Sequence, residues 1–165
     1  MLTPLIAAAA ALASALPSGS TSTYTTLDLK RCTVLERGTE DDWSVWRCPG
    51  YRGVPLIVES GDGRHDIDAG TRDKDGHWSS PFDDIPARVE WRVDRGRPFA
   101  IIYRLTVATP ERPRTSRLLV ETIGRPGRPG CRVADIPGSA RDANARARRA
   151  ADRIRAKTAS CLPAP

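Results

Sequence analysis

Two histidines, His65 and His77, are all that the 165 residues contain, and that scarcity narrows the chemistry at once. No Gly-x-Ser-x-Gly segment is present to seat a nucleophilic serine, which excludes a Ser-His-Asp hydrolase of that type. The four cysteines include no C-x-x-C pair and have no histidine nearby, so a zinc site lacks its usual spacing. An EF-hand loop is excluded as well: with Gly76 at its sixth position, Thr71 would be the first ligand and Phe82 the last. Aromatic residues number nine, four of them Trp43, Trp46, Trp78 and Trp91. Beyond the first residues, no apolar run is long enough to cross a bilayer as a helix. No cofactor and no metal are expected.

What is there begins with Leu5 to Leu12, almost all Ala and Leu, followed by Ala13-Ser14-Ala15. A short apolar run ending in a small-x-small site predicts a secretory leader over 1–15, cut after Ala15. The chain is therefore expected in the periplasm or outside the cell, where thiols oxidise and an even cysteine count reads as disulfides. Cys32 and Cys48 flank two strand-like runs around the polar turn Gly38 to Asp42. If Arg37 faces Trp43, Val34 faces Trp46 and Cys32 falls opposite Cys48, a bridge across the open end of a hairpin. Cys131 is then left to pair with Cys161.

The most apolar and β-branched stretch outside the leader is Arg88 to Val107, two strands around a Gly-containing turn. For Trp91 to share a face with Phe99 or Ile101, the loop must hold an odd number of residues, which predicts a bulged loop at Asp94-Arg95-Gly96. Further strands are expected at Val54 to Glu59, Arg64 to Asp68, Ser116 to Ile123 and Cys131 to Ile136. A long loop is expected from Ala69 to Pro86. At the C-terminus Ala143, Ala147, Ala150, Ala151, Ile154, Thr158 and Cys161 recur at helical spacing among arginines. Ser139 to Asp142 resembles a capping box, and Asp142–Arg146 is a favourable i,i+4 pair. The sum is an α+β domain over 27–165. It comprises seven or eight short strands in one curved antiparallel sheet, a C-terminal helix over 139–161 and two disulfides, after a flexible lead-in over 16–26.

Cys48-Pro49-Gly50-Tyr51-x-Gly53, Gly61-Asp62-x-Arg64, Val89-Glu90-Trp91-Arg92 and Pro98-Phe99-Ala100 occur in one chain with Cys131-x-Val133, Ala143-Asn144-Ala145, Ala151-Asp152 and Cys161. As a set they resemble a family of small exported bacterial proteins without an assigned activity. The resemblance implies export and two disulfides, and no catalytic residue comes with it.

Candidate chemistry is sparse. His65 beside Asp66 and Asp68 would serve a hydrolase, but neighbours on a strand point to opposite faces. The acids Asp62, Asp66, Asp68, Asp73 and Asp75 suit a calcium loop in type, yet Arg64, Arg72 and Lys74 sit among them, and a water-exposed turn-rich loop is the better reading. Trp78, Tyr51, Arg52, Phe82, Asp73 and Asp75 gather aromatics and charges at a loop surface suited to a partner. From Ser139 to Cys161 seven basic residues face two acids, so most of the net charge of +6 lies there. Arg146, Arg149, Arg153 and Lys157 form a basic face for an anionic surface. The function expected is a non-catalytic binding domain whose partner is an envelope protein or a cell-wall or other anionic polymer, not nucleic acid. The alternatives are an inhibitor of an envelope hydrolase, a lipid- or polysaccharide-binding surface protein, and a hydrolase using Asp66, Asp68 and His65.

Overall fold

The computed structural model describes residues 19–39, 43–73, 77–79, 83–107 and 114–163. Its strands are β1 (Thr21–Thr26), β2 (Thr33–Arg37), β3 (Ser44–Tyr51), β4 (Val54–Gly61), β5 (Arg64–Ala69), β6 (Asp83–Asp84), β7 (Arg88–Asp94), β8 (Arg97–Val107), β9 (Thr115–Thr122) and β10 (Arg132–Pro137). One helix follows, α1 (Ala143–Arg155), and a 3-10 turn at Leu29–Arg31 precedes β2.

The fold is α+β, as expected, with antiparallel strands, one C-terminal helix and two disulfides, Cys32–Cys48 and Cys131–Cys161. The strands divide between two sheets where a single curved one was expected. The larger sheet runs β1-β7-β8-β9-β10, with β6 also paired to β8, and the smaller runs β2-β3-β4-β5. A bridge between Ala69 and Ile123 joins them, with the Gly124 N–H donating to the Ala69 carbonyl at 2.8 Å.

Alternation along the strands produces two cores. Leu56, Val58, Ile67, Val89, Trp91, Ile101 and Leu119 pack between the sheets. The Trp91 indole N–H donates to Thr25 Oγ1 at 2.8 Å, so the largest core side chain is also hydrogen-bonded. On the outer face of the larger sheet, Ala100, Ile102, Leu118 and Val120 meet Ala143, Ala147, Ala150 and Ala151 of α1. The alanines recur at helical spacing, and their small side chains let the helix lie close to the strands.

Several local expectations change. Thr21–Thr26, assigned to the flexible lead-in, is β1, paired residue for residue with β7 from Thr21↔Val93 to Thr26↔Arg88. The β7–β8 turn has two residues, Arg95 and Gly96, both at positive φ as a tight hairpin turn demands. The odd residue sits inside β8: Val93 pairs with Pro98 and Arg92 with Ala100, so Phe99 is a bulge. Trp91 still faces Ile101. The 69–86 stretch contains β6, and its Asp73 and Ser79 are buried. The helix starts at Ala143, not Ser139, with Asp142 as its N-cap in the left-handed region and no side-chain cap. Asp142 pairs with Arg149 at 2.8 Å in place of Arg146. α1 ends six residues before Cys161, because Lys157 turns left-handed (φ 57°) and the Thr158 N–H closes on the Arg153 carbonyl at 2.9 Å.

Candidate functional site

The strand register that builds the inter-sheet core also gathers carboxylates. On β5, Ile67 and Ala69 enter the core, which places Asp66 and Asp68 together on the opposite face. Glu59 lies opposite Asp66 on β4. The chain beyond Gly70 folds back over these acids, and the Asp73 N–H donates to Asp68 Oδ2 at 3.0 Å. Arg72 pairs with Glu59 and lies 3.6 Å from Glu36. From the larger sheet come Glu121 and Tyr103, with Arg132 directly opposite Glu121. Arg132 donates from Nη2 to Glu121 Oε1 at 2.9 Å, to the Tyr103 hydroxyl at 3.1 Å and to Asp66 Oδ1 at 3.4 Å. Tyr103 in turn donates to Glu121 Oε1 at 2.6 Å.

All five acids are buried: Glu59, Asp66, Asp68, Asp73 and Glu121 are each exposed by 5 % or less. Among the described residues Arg132 pairs with Glu121 and Asp66, and Arg72 with Glu59, and burial makes ionising every one of the five carboxyl groups costly. Protons lower that cost at Asp68 and Glu121. Burial, then the neighbouring Asp66, Glu121 and Asp73, push the Asp68 carboxyl up to about 10. Burial raises Glu121 to about 7 despite Arg132 and the Tyr103 hydroxyl. Tyr103 is held well above its ordinary value, chiefly by burial and then by Glu121. Burial alone would depress Arg132, but Tyr103, Glu121 and Asp66 outweigh it and keep the guanidinium firmly charged. In donor chemistry the cluster also has two overlapping triads, Glu59/Asp66/Asp68 and Asp68/Asp73/Glu121, with one oxygen per residue within 4.8 Å of the others, the spacing a hard cation uses.

The expectation of water-exposed acids therefore fails for Asp66, Asp68 and Asp73, which are interior. The hydrolase alternative needed His65 beside Asp66 and Asp68, whereas β5 places His65 on the other face. The His65 backbone is tied to Ser79: its N–H donates to Ser79 Oγ and its carbonyl accepts from the Ser79 N–H, both at 2.8 Å.

The expected loop surface lies partly outside the described residues. Tyr51 is half-buried with its ring 6.1 Å from that of Trp91, and exposed Arg52 lies over it at 5.9 Å. Trp78 is half-buried, Asp73 is interior, and Asp75 and Phe82 lie outside the described residues. Of the expected basic face, Arg146, Arg149 and Arg153 are exposed on α1, and Lys157 lies beyond its end. Sequence reasoning missed Glu59 and Glu121, which join the cluster from separate sheets. Their signal was a lone Glu inside an apolar strand, after Val58 and after Leu118-Leu119-Val120.

No protein-family model matches the chain, and no curated protein or solved structure matches it either.

Proposed function

We propose that this protein is an exported, non-catalytic binding domain that recognises an anionic partner of the cell envelope. The observation that carries the reading is the basic surface of α1: the chain has a net charge of +6, and Arg146, Arg149 and Arg153 are exposed on the helix, while Glu59, Asp66, Asp68, Asp73 and Glu121 are buried. Such a surface attracts and orients anionic partners. The two carboxyl groups whose proton affinity is raised, Asp68 and Glu121, are by contrast buried.

The test is retention of the mature protein on a carboxylated matrix and on an uncharged one, as salt rises to about 0.5 M, where screening shortens the reach of surface charge to about 4 Å. Retention on the carboxylated matrix alone, lost at high salt, is expected. Equal retention on both matrices would sink the reading. N-terminal sequencing of the protein recovered outside the cytoplasm, with Leu16 as its first residue, tests export.

A further inference from the structure

Arg31 and Arg47 each immediately precede a cysteine of the Cys32–Cys48 bridge. The bridge thus draws together two arginines that are 16 positions apart. Arg47 lies opposite Thr33 in the β2–β3 pair, so their side chains share a face of the smaller sheet. Arg31, Thr33 and Arg47 line a cleft of about 260 Å³ together with Gly50 and Pro55. Both arginines are exposed, and neither forms an ion pair among the described residues. The nearest acid in sequence, Asp28, is used by the 3-10 turn: its carboxylate accepts from the Lys30 N–H at 3.0 Å and its carbonyl from the Arg31 N–H at 2.9 Å.

Beside the cleft runs β2, the terminal strand of the smaller sheet, exposed along its whole length. Two of the three large hydrophobic side chains exposed among the described residues, Val34 at 43 % and Leu35 at 49 %, are on it. A terminal strand offers unpaired backbone donors and acceptors on its free side. A chain pairing antiparallel to β2 would start opposite Arg37 and finish opposite Thr33, which brings its C-terminal end to Arg31 and Arg47.

We propose that β2 and this cleft bind an extended peptide, with backbone pairing along Thr33–Arg37, apolar side chains on Val34 and Leu35, and the C-terminal carboxylate held between Arg31 and Arg47. Guanidinium forks match the two oxygens of a carboxylate, and the cleft holds one such group with its adjoining residue. The proposal deepens the anionic-partner reading by naming the partner's chemistry, and it rests on that reading.

The experiment uses two arrays of random-sequence hexapeptides anchored by their N-termini, one with free C-terminal carboxylates and one with C-terminal amides. Mature protein is compared with Arg31→Gln/Arg47→Gln and with Arg128→Gln, which removes an exposed charge away from β2 and the cleft. Retention on the carboxylate array is expected to drop at least tenfold on the amides and for Arg31→Gln/Arg47→Gln, with Arg128→Gln binding as the parent does. Equal retention on the two arrays, no retention on either, or an undiminished Arg31→Gln/Arg47→Gln protein overturns the proposal. Stronger, Arg31- and Arg47-dependent binding to phosphatidylglycerol vesicles also overturns it, in favour of lipid. If the peptide arrays overturn the cleft in one of these ways while the carboxylated matrix still retains the parent protein in a salt-sensitive way, the cleft fails and the anionic-partner reading stands. A parent protein held by neither the arrays nor the matrix removes both.

Discussion

Arg92 on β7 donates to both carboxylate oxygens of Asp152 on α1, at 2.8 and 3.1 Å. Two residues earlier on the strand and four earlier on the helix, the pairing recurs with its charges exchanged: Arg148 donates to Glu90 at 2.7 and 3.2 Å. The two spacings match, because two strand residues advance the chain about 6.6 Å and four helical residues about 6 Å. Ser22 and Tyr24 of β1 complete the array, Ser22 bonding to both Glu90 and Arg92 and Tyr24 to Glu90 and Arg148. Burial works against the Glu90 carboxylate, but Arg148 and Ser22 outweigh it and hold its pKa below the usual value.

Removing Asp152 would leave the Arg92 guanidinium, 7 % exposed, without its charged partner. Asp152 itself is 38 % exposed, so the loss lies between the small value of a surface pair and the larger one of a buried pair. Asp152→Ala is expected to cost about 2 kcal/mol in urea unfolding. A midpoint that does not move would show that the pair contributes nothing.

The acid cluster makes stability depend on pH in a direction opposite to that of salt-bridged carboxylates. In the unfolded chain Asp68 and Glu121 lose their protons near pH 4, whereas folded they keep them to about 10 and about 7. Folding in that window takes up protons, so stability falls as pH rises, by up to about 1.4 kcal/mol per pH unit for each proton. The Glu121 contribution is complete above pH 7 and that of Asp68 continues toward 10. Urea midpoints are expected to be higher at pH 5 than at pH 9. Asp68→Asn, which needs no proton to be neutral, should raise the midpoint at pH 9 and flatten the profile. A parent profile that rises from pH 5 to 9 would contradict the buried protons.

The tail beyond α1 is covalently fastened at Cys161. Cys161 bridges to Cys131, and the next residue donates its N–H from Leu162 to the Arg132 carbonyl at 2.7 Å. Closing a loop over a separation of 30 residues is worth about 3.6 kcal/mol in the chain-entropy model. Cys131→Ala/Cys161→Ala is expected to lose roughly that much, and trypsin should cut first at Lys157. Parent-like resistance to trypsin would place the tail's anchorage elsewhere.

Gly70 marks the joint between the sheets. It has φ 88°, and a Cβ built there falls 2.1 Å from the Gly124 carbonyl oxygen. Gly53 has φ 79° with nothing within 4 Å, so it isolates the conformational cost. Gly53→Ala is expected to lower stability by about 1 kcal/mol and Gly70→Ala by more than twice that. Thermal unfolding of the two variants reads the difference directly.

Much of the fold was legible because period-two and helical patterns survive in single residues. Val34↔Trp46 and Thr33↔Arg47 follow the register that the hairpin predicts from Cys32 to Cys48. The turn end of that hairpin departs from it, since a bulge between Val34 and Glu36 puts Arg37 opposite Ser44. Bulges leave the facing of distant residues intact while moving the irregularity, which is why Trp91 could be placed and Phe99 could not. β1 looked like a tether because Thr-Ser-Thr-Tyr-Thr-Thr has no apolar face. Its side chains bond to polar groups on β7 and α1, up to 124 positions away. The acid cluster was hidden for the same reason: Glu59, Asp66 and Glu121 meet only after two sheets close.

The bond from Ser20 Oγ to Asp152 Oδ1, at 2.5 Å, has a consequence for the order of events in folding. A chain threaded N-terminus first presents β1 before any of the strands that receive it. The edge of β7 stays open until that strand arrives, and Glu90 and Arg92 stay unsatisfied until α1 supplies Arg148 and Asp152. The earliest segment to emerge is thus among the last to be locked, and it waits on the latest. Locking β1 thus depends on contacts of high sequence separation, for which loop-closure entropy is lost before the contacts reward it.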